Sequence, residues 1–197
     1  MDTDARQSGP TDTALTERAL RLLTRREHSR FELRRKLLRR RSAESELKSQ
    51  PKSQPDSTNA AAGGNTTVEA QLDAVLDDLV HRGLLSDERF AESFVRRGVD
   101  RGHGPLKIRS GLRSRGVAED LIDGALTFSD DFWLDLARAA QAKRFGNGGR
   151  HSSSNSGGDD ADGAPANRSE WARHARFLAA RGFASDIIYR TLGPQTV

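Results

Sequence analysis

Apolar positions along the chain return at helical spacing in a phrase that occurs twice. It reads Ile108-x3-Leu112-x3-Gly116-Val117-x2-Asp120-Leu121-Ile122-x3-Leu126, and later His174-x3-Leu178-x3-Gly182-Phe183-x2-Asp186-Ile187-Ile188-x3-Leu192. An apolar helix stripe, a glycine stop and a second short helix share eight offsets, and seven of them keep their residue class. A looser copy runs through Phe31, Leu33 and Leu37, then Val68, Leu72, Val75, Leu76 and Leu79. Recurrence of this kind predicts an array of helical units, each packed on its neighbours, which offers long surfaces to large partners.

Local signals place the helices. Thr13 precedes a stripe of Leu15, Ala19, Leu22 and Leu23. Ser29-Arg30-Phe31-Glu32 reads as a capping box, in which the hydroxyl accepts from an exposed N–H and the glutamate reaches back. Gly83 closes the third stripe because it tolerates the left-handed conformation that follows a helix, and Leu84 is expected to pack back across that stop. Asp87 is expected to cap a fourth helix carrying Phe90, Ala91, Phe94 and Val95. Gly104-Pro105 opens a fifth with proline in its first turn, and Val117 to Leu126 makes a sixth after Gly116. Ser129 and Ser169 cap the seventh and eighth. The ninth follows Gly182 and stops at Gly193-Pro194.

No segment alternates long enough to read as a strand. The predicted fold is therefore all-α: an elongated array of three tandem three-helix, helix-turn-helix-like repeats. Residues 1–11 read as a disordered leader, 12–85 as the first repeat, 86–128 as the second and 129–197 as the third. Two stretches without apolar periodicity, 42–66 (Ser, Gln, Pro, Asn, Ala, Gly) and 146–168 (Gly, Ser, Asn, Asp), read as disordered insertions in the first and third repeats.

Composition sharpens the partner class. Only 35% of the 197 residues are hydrophobic, mean hydropathy is −0.71, net charge is +4 and pI is about 9.9, a balance that favours polyanions or acidic protein surfaces. The charge is banded. Residues 17–41 hold eleven Lys/Arg against three acids and 101–116 hold five against none, while 67–100 and 117–142 are net −4 and −5. Arg34, Arg35, Lys36, Arg39, Arg40 and Arg41 are expected around the outward side of the second helix. Arg96, Arg97 and Arg101, then Lys107, Arg109, Arg113 and Arg115, offer a second basic face, and Lys143 with Arg144 begins a third. Such faces can meet phosphates or acidic side chains. Aromatic residues are not interleaved with these bases, so stacking on single-stranded bases is poorly supported, and Phe and Trp read as core.

Catalytic chemistry finds little foothold. With no cysteine there is no disulfide framework, thiolate nucleophile or Cys-type zinc site, and a reducing, cytoplasmic setting fits. His28, His81, His103, His151 and His174 are scattered one per segment, read as exposed or half-packed and without a ligand partner at helical spacing. Gly146-Asn147-Gly148-Gly149 lacks the strand and the Lys-Ser/Thr of a phosphate loop. Asp130 and Asp131 sit where a helix N-terminus favours anions, and Asp77 and Asp78 on a polar face. No serine occupies a Gly-x-Ser-x-Gly elbow. Neither a metal, a cofactor nor enzymatic activity is expected. Met1 to Pro10 has no apolar core of a signal peptide and no apolar run approaches the ~20 residues of a membrane span, so a soluble protein is expected.

At Leu84-Leu85-Ser86-Asp87-Glu88-Arg89-Phe90-Ala91, preceded by Leu76-x2-Leu79-x3-Gly83, the chain resembles the RecX family of bacterial recombination regulators. Ser29-x-Phe31-Glu32-Leu33-x2-Lys36-Leu37 is similar to the family's first unit, and Gly104-Pro105-x2-Ile108-x3-Leu112-x3-Gly116-Val117 to its second. The likeness covers about 12–145 clearly and 169–193 more loosely. It implies an all-helical array of three-helix units without catalytic residues. It also implies binding to the RecA recombinase filament, contact with the single-stranded DNA inside it, and modulation, usually inhibition, of ATPase, strand exchange and coprotease stimulation. The resemblance carries over a structural signature, Gly83, Asp87, Phe90, Ala91, Gly116 and Gly182, with Phe90 as an anchor. The basic faces are read from spacing instead. Two departures stand out: Arg41 takes the place of a glycine after the second helix, with 42–66 inserted there, and 146–168 interrupts the third unit.

Residue pattern alone leaves a second reading open, a helical module that binds DNA or RNA directly through a basic helix in a groove. That reading demands tight, salt-steep binding to nucleic acid alone. A filament modulator, expected to act as a monomer, needs the recombinase and only weak DNA affinity.

Overall fold

The computed structural model describes residues 10–48, 61–146 and 168–194, and among these it contains helices and turns but no strand. The helices are α1 (Pro10–Leu23), α2 (Arg30–Lys48), α3 (Ala61–His81), α4 (Asp87–Asp100), α5 (Pro105–Arg113), α6 (Glu119–Ala125), α7 (Asp130–Phe145), α8 (Arg168–Arg181) and α9 (Ser185–Leu192). α1 begins inside the expected leader, whose residues 1–9 lie outside the described ones. α2 and α3 extend into the expected insertion 42–66, of which 49–60 lies outside the description; of the insertion 146–168, 147–167 does.

The chain forms two compact units, residues 1–90 with 115–117, and residues 91–114 with 118–197. In the first, α1, α2 and α3 pack on one another. Leu15 and Ala19 from α1, Leu33 and Leu37 from α2, and Leu72, Val75, Leu76 and Leu79 from α3 make its buried cluster, with Leu85 at its end and Leu22 and Leu23 partly buried against it. The helical spacing of those positions puts one apolar stripe of each helix inward. Phe90 is wholly buried.

The turns of this unit differ from expectation in three places. Ser29 Oγ accepts from Glu32 N at 3.1 Å, but the Glu32 carboxylate does not reach back. It accepts instead from Arg26 Nη2 at 3.0 Å and meets His28 Nδ1 at 2.9 Å, because both donors lie beside it at the buried start of α2. Asp87 does not cap α4: Ser86 Oγ accepts from Arg89 N at 3.2 Å, leaving the Asp87 carboxylate to accept from Arg30 N, an otherwise open donor at the start of α2, at 2.7 Å. After Gly83, whose φ is +66°, Leu84 is exposed and Leu85 is the residue that turns into the core.

In the second unit α7, α8 and α9 pack mutually, and α5 packs on α6. Trp133, Leu134 and Ala137 from α7, Leu178 from α8, Phe183, and Ile187, Ile188 and Leu192 from α9 are buried, as are Ile108, Leu112 and Ile122. Ser129 caps α7 as expected, accepting from Phe132 N at 3.2 Å, and Pro105 opens α5. α8 starts at Arg168, which puts Ser169 inside its first turn. Trp171 Nε1 donates to Gly193 O at 3.0 Å and Arg190 pairs with Asp131 at 3.0 Å, tying α9 to α8 and α7.

Two histidines correct the sequence reading. His28 is 2% exposed and, contrary to the absence of a partner at helical spacing, meets Glu32 four residues on. His174 is equally buried, 3.3 Å from Gln141 Nε2 and stacked on Phe145 at 3.9 Å between ring centroids. Both rings replace water with packed neighbours, and burial lowers both imidazoles below the ordinary value. Among the described residues no group of three or more His, Cys, Asp or Glu is placed to hold a metal ion.

Candidate partner-binding site

The structure sorts the sequence-predicted basic residues by whether an acid already neutralises them. Arg34 is engaged: its Nε donates to Asp73 at 2.9 Å and its Nη2 to Glu69 at 3.4 Å, so it links α2 to α3. Those carboxylates raise the Arg34 guanidinium above its ordinary value. Arg109 pairs with Glu119 and, at 2.6 Å, with Asp123; Arg113 grips Glu119 through two nitrogens at 2.8 Å. These three arginines hold helices together, which corrects their expected place on open basic faces. Lys107 Nζ donates to Ala180 O at 3.3 Å, where the last carbonyls of α8 need donors. Arg115 offers its carbonyl to Ser29 Oγ at 2.7 Å.

Other cations have no ion-pair partner among the described residues. On α2, Arg35 lies over the Phe31 ring at 5.7 Å, and Arg39 and Arg40 are exposed with no acidic partner among the described residues. Lys36 is half-buried, and burial followed by the nearby Arg26 charge lowers its ammonium. In the second unit Arg96 is exposed on α4.

Arg101, Lys143 and Arg144, which the sequence assigns to two separate patches, come together. They line a cleft of about 570 Å³ together with the apolar Val99, Leu136, Ala139 and Ala140 and with Asp100, Gly102 and Arg181. None of these four cations has a carboxylate within ion-pair distance among the described residues. Arg181 is aimed by its Nη1, which donates to the carbonyls of Arg101 and Gly102, and it lies 5.0 Å above the Phe177 ring. Hydrogen bonds to carbonyls and a ring face orient a guanidinium without cancelling its charge. Burial, then the charges of Lys107, Arg181 and Arg101, lower the half-buried His103 imidazole.

Backbone geometry builds the cleft. The turn after α4 carries Gly102 at φ +68°, and the chain then runs against the end of α8: Gly104 N donates to Arg181 O at 2.8 Å and Leu106 N to Gly182 O at 3.0 Å. A Cβ on Gly104 would collide with the Gly182 carbonyl, and one on Gly182, whose φ is +87°, with the Lys107 backbone. Only glycine permits this approach, and the approach is what carries Arg181 to Arg101. Sequence reasoning missed Arg181 and Asp100. A signal existed, because Arg82-Gly83, Arg115-Gly116 and Arg181-Gly182 each place arginine before a helix-ending glycine, which marks Arg181 as one more C-terminal basic position.

A 180-residue alignment spanning 91% of this chain and 87% of its relative is 38% identical to "Regulatory protein RecX" of Halorhodospira halophila (strain DSM 244 / SL1). The chain belongs to the RecX family. "Regulatory protein RecX" of Ectopseudomonas mendocina (strain ymp) is 35% identical over 179 residues, 91% of this chain and 93% of that one. Residues 16–45 match the description "RecX, first three-helix domain" and 86–126 "RecX, second three-helix domain". Among solved structures, RecX from Lactobacillus salivarius has the same fold, with a TM-score of 0.60 at 19% identity, covering 91% of this chain and 93% of that one. A second RecX regulatory-protein crystal structure matches with the same TM-score over 98% of this chain and 80% of its own.

Proposed function

We propose that this RecX-family chain binds the RecA nucleoprotein filament and lowers its ATP hydrolysis, strand exchange and coprotease stimulation. The observation that carries the reading is the family itself: relatives sharing more than a third of their residues over nine-tenths of the chain bear the name of a regulator. The charge distribution supports it. Unneutralised cations on α2 and around the α4–α7 cleft suit a surface that presents both acidic side chains and phosphates. In this reading the three repeats 12–85, 86–128 and 129–197 lie as a monomeric array in the filament groove of a cytoplasmic DNA-repair and SOS assembly, touching its single-stranded DNA but holding it weakly alone.

Anisotropy of a labelled single strand, measured from low to high salt with and without RecA, tests this directly. Weak binding to the naked strand and tight binding to the RecA-coated one is the expected result. Tight, salt-steep binding to the naked strand, unchanged by RecA, would replace this reading with a direct nucleic-acid module.

A further inference from the structure

We infer that the cleft between the end of α4 and α7 docks an acidic polypeptide segment that carries one aliphatic side chain. Three observations converge. Arg101, Lys143, Arg144 and Arg181 line it with no carboxylate at ion-pair distance among the described residues, whereas Arg109, Arg113 and Arg190 of the same unit are already paired. Charges left unpaired around a concave surface gain by meeting opposite charge there, since low-dielectric walls focus the field.

The second observation is the apolar part of the lining. Val99, Leu136 and Ala139 make it aliphatic, and a volume of about 570 Å³ exceeds what carboxylates at the cations would fill. A leucine-sized side chain can leave water there while its flanking acids reach the cations. Arg181 is held beforehand by the Arg101 and Gly102 carbonyls and the Phe177 ring, so less side-chain freedom is lost when a carboxylate arrives.

The third observation separates peptide from nucleic acid. Among the described residues no aromatic side chain lines the cleft, so unstacked bases find no platform. Asp100 lines the cleft along with the cations. It would repel a continuous run of phosphates but leaves room for spaced carboxylates, and it can accept from a peptide N–H. The inference depends on the cleft being a partner site of the regulation proposed above, but it names the chemistry recognised rather than the partner.

The test uses the full chain and a fluorescent peptide rich in Asp and Glu with one central Leu, the same peptide with Ser in place of Leu, and oligothymidylate. Two variants are compared with the parent: Ala139→Trp, an exposed position whose indole would fill the cleft, and the double reversal Lys143→Glu/Arg144→Glu. The Leu peptide should bind the parent, the Ser peptide should bind more weakly, and each variant should lose about tenfold or more in affinity for the Leu peptide. Undiminished binding by a folded Ala139→Trp variant overturns the inference. So does tighter binding of oligothymidylate than peptide, lost in the same variants, which would give the cleft to nucleic acid. Filament hydrolysis measured in parallel separates the two readings: modulation without peptide binding removes the cleft assignment alone, and peptide binding without modulation removes the regulatory reading alone.

Discussion

Replacing Phe90 with alanine should be the most damaging truncation in the first unit. Among the described residues Phe90 is the largest side chain that is buried completely. An aromatic ring of this kind removes ~150–250 Å² from water, which at about 25 cal/mol per Å² corresponds to roughly 4–6 kcal/mol for the whole side chain. Alanine keeps the β-carbon, and the unfilled space adds a cavity cost, so a loss of about 3–5 kcal/mol is expected. A domain's whole stability is about 5–15 kcal/mol, so this is a large fraction of it. Urea unfolding followed by far-UV circular dichroism measures the effect. With a slope near ~2 kcal/mol per molar urea, the midpoint should fall by roughly 2 M with the slope retained. Phe90→Leu, which keeps much of the volume, should lose clearly less. Leu84→Ala, only a few residues earlier but exposed, should stay within about 0.5 kcal/mol of the parent. A Phe90→Ala midpoint within about 0.5 M of the parent would refute the anchor assignment.

Other consequences can be checked alongside. Reversing Arg35, Arg39 and Arg40 should leave helicity and unfolding unchanged while weakening filament regulation; unchanged inhibition by the folded variant removes α2 from the mechanism. Arg34→Ala differs, since it breaks the α2–α3 ion pairs, and should lower thermal stability modestly and less so at high salt. Gly182→Ala should destabilise the second unit by about 1–3 kcal/mol from its left-handed backbone, with the clash on Lys107 in addition, and a melting curve matching the parent would contradict the close approach. Acid should destabilise the first unit in two steps. Burial holds the His28 imidazole below its ordinary 6.5, and at Glu32 the bonds from Arg26 and His28 outweigh burial and hold the carboxyl below 4.5. Both folded values are depressed, so each contribution is complete above the unfolded value and is lost as pH falls below about 6.5 and then about 4.5. The variant Glu32→Gln should be less stable than the parent at neutral pH and lack the lower step.

How much of this was legible in the sequence depends on the range of the interaction. The all-helical pattern follows from apolar residues at every third and fourth position, and Gly83, Gly116 and Gly182 marked helix ends because their left-handed backbone punishes any side chain. Phe31 is the reverse case: its apolar character suggested core, yet it is nearly half exposed, covering Gly116 and carrying the Arg35 guanidinium on its outer face. Charge pairing across elements was not readable. Nothing in the spacing of Arg34 and Asp73, or of Arg109 and Glu119, says that these residues meet, so basic residues that serve the fold looked the same as those without an acidic partner among the described residues. One of the two capping errors, Asp87, shares that cause. Glu32 and Asp87 both had the right residue types for local caps, but the Arg30 amide, brought close by packing, competed for Asp87, and at Glu32 the competitor was the local His28, four residues earlier. Arg101 and Lys143 joined one cleft only because two glycines let a turn lie against the end of α8.

The proposed function is regulation of a recombinase filament. Single-stranded-DNA-dependent ATP hydrolysis by the cognate RecA, titrated with the full chain, tests it most directly. Loss of hydrolysis is expected at chain concentrations well below that of RecA, while the chain alone binds the same strand only weakly. Hydrolysis unchanged at every ratio, together with tight binding to the naked strand, would contradict it and leave the RecX likeness as one of fold.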